Sequence, residues 1–380
     1  MRLIETQRLI INAFKSNKKS VTLPKGTKLR RIKFKSAVKN RHKAKMDSDS
    51  KVKYNILPKR GLSSNTKFDY YMFLPKTRVN DEVILLLHGL NERSWDKYLL
   101  WAHYLSTNSN KAVIMFPIAY HINRAPEEWS NPRLMNKISK ERSEINNIDN
   151  LNSSYANVAL SLRLSHSPEL FYQSGLQTYL DIIKLTKSIK KGRHKYLSKN
   201  SKINFFSYSI GAFLTEVLLL SNPDNLFTDQ KAFLFCGGST FDKMNAISRS
   251  ILDKEATNRL EKYIYNEELN YNTIRPARKY SPYLMGAWNS FKMMSNNKLF
   301  AKERIEKFAS LRPIIKAVGL VKDVVIPPKG ILETVGECEI IDFPVNYSHE
   351  NPFPFNNKSK VEIVEEAFVS IFEKAISFFK

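Results

Sequence analysis

Cysteine is scarce in this chain: Cys236 and Cys338 are the only two in 380 residues, too few for a disulfide framework and not clustered as zinc ligands would be. A reducing compartment is the simpler expectation. Long apolar runs are missing as well. Clean ones such as residues 83–87 and 217–220 fall far short of the roughly 20 apolar residues needed to cross a bilayer. Glycine (12) and proline (16) are too sparse for a collagen-like chain. No signal peptide is read at the start, because Glu5 and Arg8 stand where its apolar region would begin and residues 9–14 are short and interrupted by Asn12. The expected location is therefore cytoplasmic. Acidic residues are nearly absent from residues 1–60, which hold 19 Lys or Arg against Glu5, Asp47 and Asp49, a balance of +16 out of the chain's +25.

What is present describes a folded protein. Hydrophobic residues make up 42% and aromatics 12%, with 23 Phe and 17 Tyr, a composition that excludes a chain disordered throughout. At this length one large domain with insertions, or a domain plus an extension, is expected. Residues 1–60 read as a basic N-terminal extension, solvated and partly ordered. Its run Lys28-Leu-Arg-Arg-Ile-Lys-Phe-Lys35 could rest on nucleic acid, anionic lipid or an acidic partner, although no nucleic-acid-binding motif accompanies it.

Residues 65–380 read as one mostly parallel α/β domain, because short apolar runs alternate with longer amphipathic ones. Strands are expected at 69–75, 83–87, 111–116, 202–206, 231–236, 312–321 and 337–342. Helices are expected at 95–105, 169–189, 209–220 and 361–379. Continuous apolar runs such as 83–87 suit strands covered by helices on both faces. Two stretches break the alternation: a polar, Asn/Ser-rich insertion at 121–168, and a long, helix-leaning insertion at 241–311 with the character of a lid. No internal repeat is found.

The segment Asn204-Phe-Phe-Ser-Tyr-Ser-Ile-Gly-Ala-Phe-Leu214 carries most information. A strand ends, a helix begins after Ser209, and small residues flank that serine at Ser207 and Gly211. A tight strand-to-helix turn needs small flanks because neighbouring backbone comes close, and the helix N-terminus offers free N–H groups to a developing anion. By itself the pattern is equally that of a helix N-cap serine with Gly211 packed against a strand. It resembles the nucleophile elbow, usually G-x-S-x-G, of the α/β-hydrolase superfamily, with Ser207 in place of the first glycine. Leu87-His-Gly-Leu-Asn91, directly after the strongest strand, resembles the turn where that superfamily places one oxyanion-hole amide.

The resemblance implies an α/β-hydrolase-like sheet with helices on both faces, and a serine hydrolase cleaving an ester, thioester or amide through an acyl-enzyme. Ser209 would be the nucleophile, His349 the base and Asp323 the acid, in the superfamily's order of Ser, Asp, His. Asp323 lies in Val318-Gly-Leu-Val-Lys-Asp-Val-Val-Ile-Pro327, after a strand, and His349 falls shortly past the last strand and before the closing helix. The backbone amides of Leu90 and Ile210 would hold the oxyanion, with His88 and Gly89 shaping the first turn and Ser207 and Gly211 the second. Asp242, which follows the strand ending at Cys236, is the alternative acid, and a loop aspartate capping a helix is the ordinary role for either.

Of the other histidines, His42 lies in the basic segment, His103 within a helix, His194 in a Lys/Arg-rich loop, and His166 at the border of the first insertion, each with a structural or solvent role expected. His121 follows a strand and is placed to line a substrate pocket. Trp129, Tyr263, Tyr265, Tyr283 and Trp288, within the insertions, are expected to shape an apolar acyl pocket, with core packing as their other explanation.

No metal and no cofactor is expected. His-x-His, H-E-x-x-H and clustered carboxylates are missing, and Cys236-Gly-Gly-Ser239 lacks the spacing of a dinucleotide fingerprint or a P-loop. The expected partner is a small-molecule or lipid-like acyl substrate. A weak contact of residues 1–60 with an anionic surface is the second expectation, and a non-catalytic protein binding an anionic polymer or membrane through that segment is the competing functional class. The sequence leaves the oligomeric state open.

Overall fold

The computed structural model describes residues 2–38, 62–77, 82–146, 148, 150–265, 278–355 and 360–380. Its centre is a nine-stranded sheet, built from β1 (Ser20–Thr22), β2 (Lys28–Lys35), β3 (Lys67–Leu74), β4 (Glu82–Leu87), β5 (Ala112–Met115), β6 (Lys202–Tyr208), β7 (Ala232–Phe235), β8 (Ile315–Leu320) and β9 (Glu339–Ile341). They lie in the order β1-β2-β3-β5-β4-β6-β7-β8-β9. The strands from β5 through β4 to β9 run parallel, whereas β1, β2 and β3 pair antiparallel with their neighbours. The parallel strands β5 and β7, and β4 after Glu82, are continuous apolar runs because helices cover both faces, so no side of them meets water.

The helices are α1 (Leu3–Lys15), α2 (Ser63–Thr66), α3 (Asp96–Ser109), α4 (Pro132–Asn146), α5 (Val158–His166), α6 (Glu169–Lys190), α7 (Ile210–Ser221), α8 (Lys254–Tyr265), α9 (Tyr283–Ser295), α10 (Ala301–Leu311), α11 (Pro328–Val335) and α12 (Val361–Phe379). Apolar side chains of α1, α3 and α12 share one core with one face of the sheet, and those of α6, α7, α8, α9 and α11 share the core on the other. In the first core Phe372 of α12 stacks on Phe206 of β6, with ring centroids 5.2 Å apart, and Phe206 stacks in turn on Phe233 of β7. This is the α/β-hydrolase-like architecture implied by the sequence. No helix among the described residues is long and apolar enough to cross a membrane.

The segment read as a basic extension behaves differently from that expectation in its described part, residues 2–38. Strand β2 pairs with β3 over its whole length, from Lys28 opposite Leu74 to Lys35 opposite Lys67. Ile10 of α1 is fully buried in the core with α3, and Leu29 is buried beside it, while Ile32 and Phe34 pack on the opposite face. Past the strand, Ser36 Oγ and Ala37 N–H donate to the buried carboxylate of Asp181 at 2.7 and 2.6 Å, and Asp181 also pairs with the buried guanidinium of Arg124 at 2.9 Å. The basic residues of the run 28–35 sit on an integral strand; Arg31, for instance, pairs with Asp69 of β3 at 2.6 Å. Residues 39–61, including His42, lie outside the described residues.

Both insertions contain helices. Residues 121–168 form α4 and α5, and 241–311 contributes α8, α9 and α10. They are fastened to each other by Arg142, a buried side chain of α4 that forks onto Asp253 at 2.5 and 3.0 Å and reaches Glu255 of α8 at 2.8 Å.

Candidate active site

The turn between β6 and α7 holds Ser209 at φ 57°, ψ −126°, a conformation that costs a side-chain-bearing residue energy and persists only when surroundings enforce it. The surroundings are tight. A Cβ on Gly211 would stand 2.8 Å from the carbonyl oxygen of Leu87 and 2.9 Å from that of His88, so α7 begins in direct contact with the end of β4. Ser207, in the position where a glycine is usual, turns its buried Oγ onto Thr215 Oγ1 of α7 at 2.6 Å and fastens strand to helix. The Ser209 hydroxyl does not cap α7; its Oγ lies 2.7 Å from His349 Nε2.

On the other side of that ring, His349 Nδ1 is 2.7 Å from Asp323 Oδ2. The second oxygen of Asp323 accepts from the backbone N–H groups of Val325 and Ile326 at 3.0 and 2.9 Å, which fixes the carboxylate's rotation. With Nδ1–H donating to the carboxylate, Nε2 is left as an acceptor for the serine proton. Asp242, the alternative acid, is elsewhere: its Oδ1 accepts from Asn297 N–H at 2.9 Å. Cys236 is fully buried beside Asp323, and burial first, then that carboxylate, pushes its thiol well above the usual range, so it is no nucleophile.

Tyr208 is a site residue that the sequence did not single out. It stacks on the His349 ring, with centroids 5.5 Å apart and planes 18° from parallel, and its hydroxyl donates to the His349 carbonyl. Lys97 lies over the Tyr208 ring and donates to the carbonyl of Glu350, holding the same loop from the far side.

The turn after β4 is fixed by side chains. His88 is fully buried, with Nδ1–H donating to Gly89 O at 2.8 Å and Nε2 accepting from Ile118 N–H at 2.9 Å. Burial holds its pKa well below the usual 6.5, which suits a neutral, structural ring. Gly89 N–H donates to Tyr98 Oη at 3.0 Å, and Tyr98 donates to Glu92 at 2.6 Å. A Cβ on Gly89 would lie 3.2 Å from the Tyr208 ring and 3.4 Å from Ser209 Cβ, so this turn passes directly against the one between β6 and α7. The N–H of Ile210 belongs to the first residue of α7, where it has no acceptor in a preceding turn.

Two apolar chambers share Leu90, Phe171 and Ile210 in their walls, and one of them includes Ser209. The larger is walled by α6, α7 and α9 through Phe171, Tyr172, Tyr179, Phe213 and Phe291, and His121 also lines it. The smaller includes Ser209 and is closed by Phe241, Met244, Leu252 and Leu260 of the second insertion with Val325 and Ile326 of the loop after β8.

The aromatics expected to form an acyl pocket lie mostly behind or away from these walls. Trp288 packs on Tyr172 and Phe291, Trp129 stacks under Arg163 in a separate small core, Tyr265 packs edge-on against Phe241, and Tyr283 donates to Asp224 on the surface. Tyr263 packs partly buried against the main core. The remaining described histidines have structural partners: His103 faces Pro24 O, His166 faces Leu162 O, and His194 faces Tyr70 Oη. Among the described residues no group of three or more His, Cys, Asp or Glu could hold a metal ion.

Across residues 1–380 the sequence matches the family described as a family of unknown function, DUF6051. The chain belongs to that family. No curated protein matches it significantly by sequence. Among solved structures it is similar to a cold-adapted esterase from an Arctic intertidal metagenomic library, at 10% identity and a TM-score of 0.41 over 92% of this chain and 97% of that one. It is also similar to TT1662 from Thermus thermophilus, at 11% identity and 0.41 over 89% and 98%. A third is the acetyl xylan esterase of Paenibacillus sp. R4, at 14% identity and 0.42 over 95% and 94%.

Proposed function

We propose that this member of DUF6051 is a serine hydrolase that cleaves an ester, thioester or amide through an acyl-enzyme. The observation that carries the reading is the run of contacts from Ser209 Oγ to His349 Nε2 and from His349 Nδ1 to Asp323, 2.7 Å each, starting from a strained elbow.

A serine hydroxyl attacks a carbonyl only if its proton is removed as the bond forms. In the proposed reaction Ser209 Oγ attacks the carbonyl carbon while its proton passes to His349 Nε2. Asp323, held by two backbone amides, stabilises the resulting imidazolium through Nδ1–H. The carbonyl oxygen becomes an oxyanion facing the N–H groups of Leu90 and Ile210. His349 then gives its proton to the departing alcohol, thiol or amine, and the acyl group remains on Ser209. Water, deprotonated by the same ring, releases the acid and regenerates the serine.

Two chambers that share Leu90, Phe171 and Ile210, one of them including Ser209, suit the two halves of such a substrate, one on each side of the bond that breaks. Their apolar walls favour uncharged, lipid-like groups over charged ones, since a charge moved there loses its hydration. The test is rapid mixing with a p-nitrophenyl ester of a medium-length fatty acid. The reading predicts an initial burst of p-nitrophenol approaching one equivalent of enzyme, then slower turnover. A protein that merely binds anionic surfaces through its basic segment would release none.

A further inference from the structure

The larger chamber is apolar except for four side chains, and they divide evenly. Ser174 Oγ donates to Phe171 O at 3.0 Å and Tyr179 Oη is 2.9 Å from Ser221 Oγ, so both have partners within the protein. His121 and Tyr172 are different. Each is at least nine-tenths buried, at 4% and 3% exposure, and each carries a buried polar atom without a hydrogen-bond partner, Nε2 of His121 and the hydroxyl of Tyr172. Buried polar atoms are nearly always paired, and an unpaired one costs free energy comparable to a lost hydrogen bond. Two on residues that line one chamber, whose wall also includes Leu90 and Ile210, mark a place for a polar group brought by a ligand.

The chemistry of the pair narrows that group. His121 Nδ1–H donates to Ala119 O at 2.9 Å, which leaves Nε2 a bare acceptor. Burial, with Arg163 and Arg124 nearby, lowers the His121 pKa to about 4, so the ring is neutral near pH 7. Burial also raises the Tyr172 pKa, which keeps the hydroxyl protonated, able both to donate and to accept. A ketone or carboxylate can only accept and would leave Nε2 unpaired. An ammonium would enter an apolar chamber close to two guanidinium groups. A hydroxyl can donate to Nε2 and accept from Tyr172.

Building on the serine-hydrolase reading, we infer that the larger chamber holds the chain of a substrate that carries a hydroxyl group, recognised by His121 and Tyr172. The substrate class is then an ester, thioester or amide of a hydroxylated, otherwise apolar acid.

The experiment compares methyl octanoate with the methyl hydroxyoctanoates that carry the hydroxyl at successive chain carbons, as kcat/KM for wild type, Tyr172→Phe, His121→Leu and His121→Gln. In an ordinary apolar pocket every hydroxyl weakens binding. Here at least one hydroxylated ester is expected to exceed methyl octanoate by tenfold or more, and the ratio should fall about tenfold in Tyr172→Phe and His121→Leu, with part restored in His121→Gln, which keeps an acceptor. Calorimetric binding of octanoic and hydroxyoctanoic acids to Ser209→Ala should show the same preference without any turnover.

Tyr172→Phe should also melt no lower than wild type, because the hydroxyl it removes has no partner. Preference for methyl octanoate at every position, a ratio unmoved by both His121→Leu and Tyr172→Phe, or a clear loss of stability in Tyr172→Phe would each overturn the inference. Failure of the hydrolase reading looks different: no ester of any kind is turned over, while the binding arm with Ser209→Ala still reports on the hydroxyl.

Discussion

Tyr208 stacks on the ring of His349 and donates its hydroxyl hydrogen to the His349 carbonyl, although the two residues are 141 positions apart in the chain. The residue just before the candidate nucleophile therefore holds the loop that carries the candidate base. Any shift of that loop moves Nε2 away from Ser209 Oγ.

Tyr208→Phe keeps the stacked ring and removes the donor. The His349 carbonyl loses a buried partner, at a cost of about 1–3 kcal/mol, and the melting temperature should fall. With the loop less restrained, kcat for a small ester should drop roughly tenfold with little change in KM, because the geometry of proton transfer suffers more than substrate binding. Steady-state kinetics and thermal melting check this together. A variant that melts lower at unchanged kcat would reduce Tyr208 to a packing residue.

Asp323 and Asp242 can be separated by the same substitution. Asp323→Asn replaces the carboxylate at His349 Nδ1 by an amide, favours the wrong tautomer, and should lower kcat by about 10³- to 10⁴-fold. Asp242→Asn preserves an acceptor for Asn297 N–H and should turn over a small ester within a factor of about two of wild type. Parallel kinetics of the two variants decide the assignment, and a large loss in Asp242→Asn alone would transfer the acid role.

Gly89 bears on the proposed oxyanion site. A valine there would press against the Tyr208 ring and Ser209 Cβ, which already stand 3.2 and 3.4 Å from where its Cβ would be. The turn must give, and the Leu90 amide turns with it. Loss of one such donor lowers turnover by about 100- to 1000-fold, so Gly89→Val should show that loss in kcat. Because Ser209 and His349 remain, slow labelling of the serine should persist. Wild-type turnover by a folded Gly89→Val protein would remove this turn from the mechanism.

The central strands were legible because β4, β5 and β7 are buried on both faces and spell their burial in runs of Val, Ile, Leu, Met, Phe and Ala. So was the placement of Ser209 directly after β6, of Asp323 after β8 and of His349 past β9. Strand β2 was hidden by its charge: Arg30 and Arg31 are adjacent, and Arg31 reaches the sheet by pairing with an aspartate of β3 rather than by being apolar. Helix α4 was hidden similarly, since one of its buried anchors is Arg142, which is held by acids more than a hundred residues later. Tyr208 had no local signal, because its partner is brought to it only by the closing of the sheet.

Residues 2–38 therefore belong to the fold. Deleting them strips β1 and β2 from β3, uncovers a row of unpaired backbone groups, and takes Ser36 and Ala37 from the buried Asp181. The truncated protein is expected in the insoluble fraction, or to melt far below wild type if soluble. A soluble truncation with an unchanged melting curve and ester turnover would restore the description of this segment as an appendage.

The account stands or falls on whether Ser209 is an activated nucleophile. Covalent labelling by a fluorophosphonate, followed by mass mapping of the modified peptide, reads this without knowledge of the natural substrate. The prediction is stoichiometric modification of the peptide containing Ser209 in the wild type and none in Ser209→Ala, which should fold and melt as the wild type does. A wild-type protein left unlabelled, or a Ser209→Ala protein labelled as fast as wild type, would contradict it.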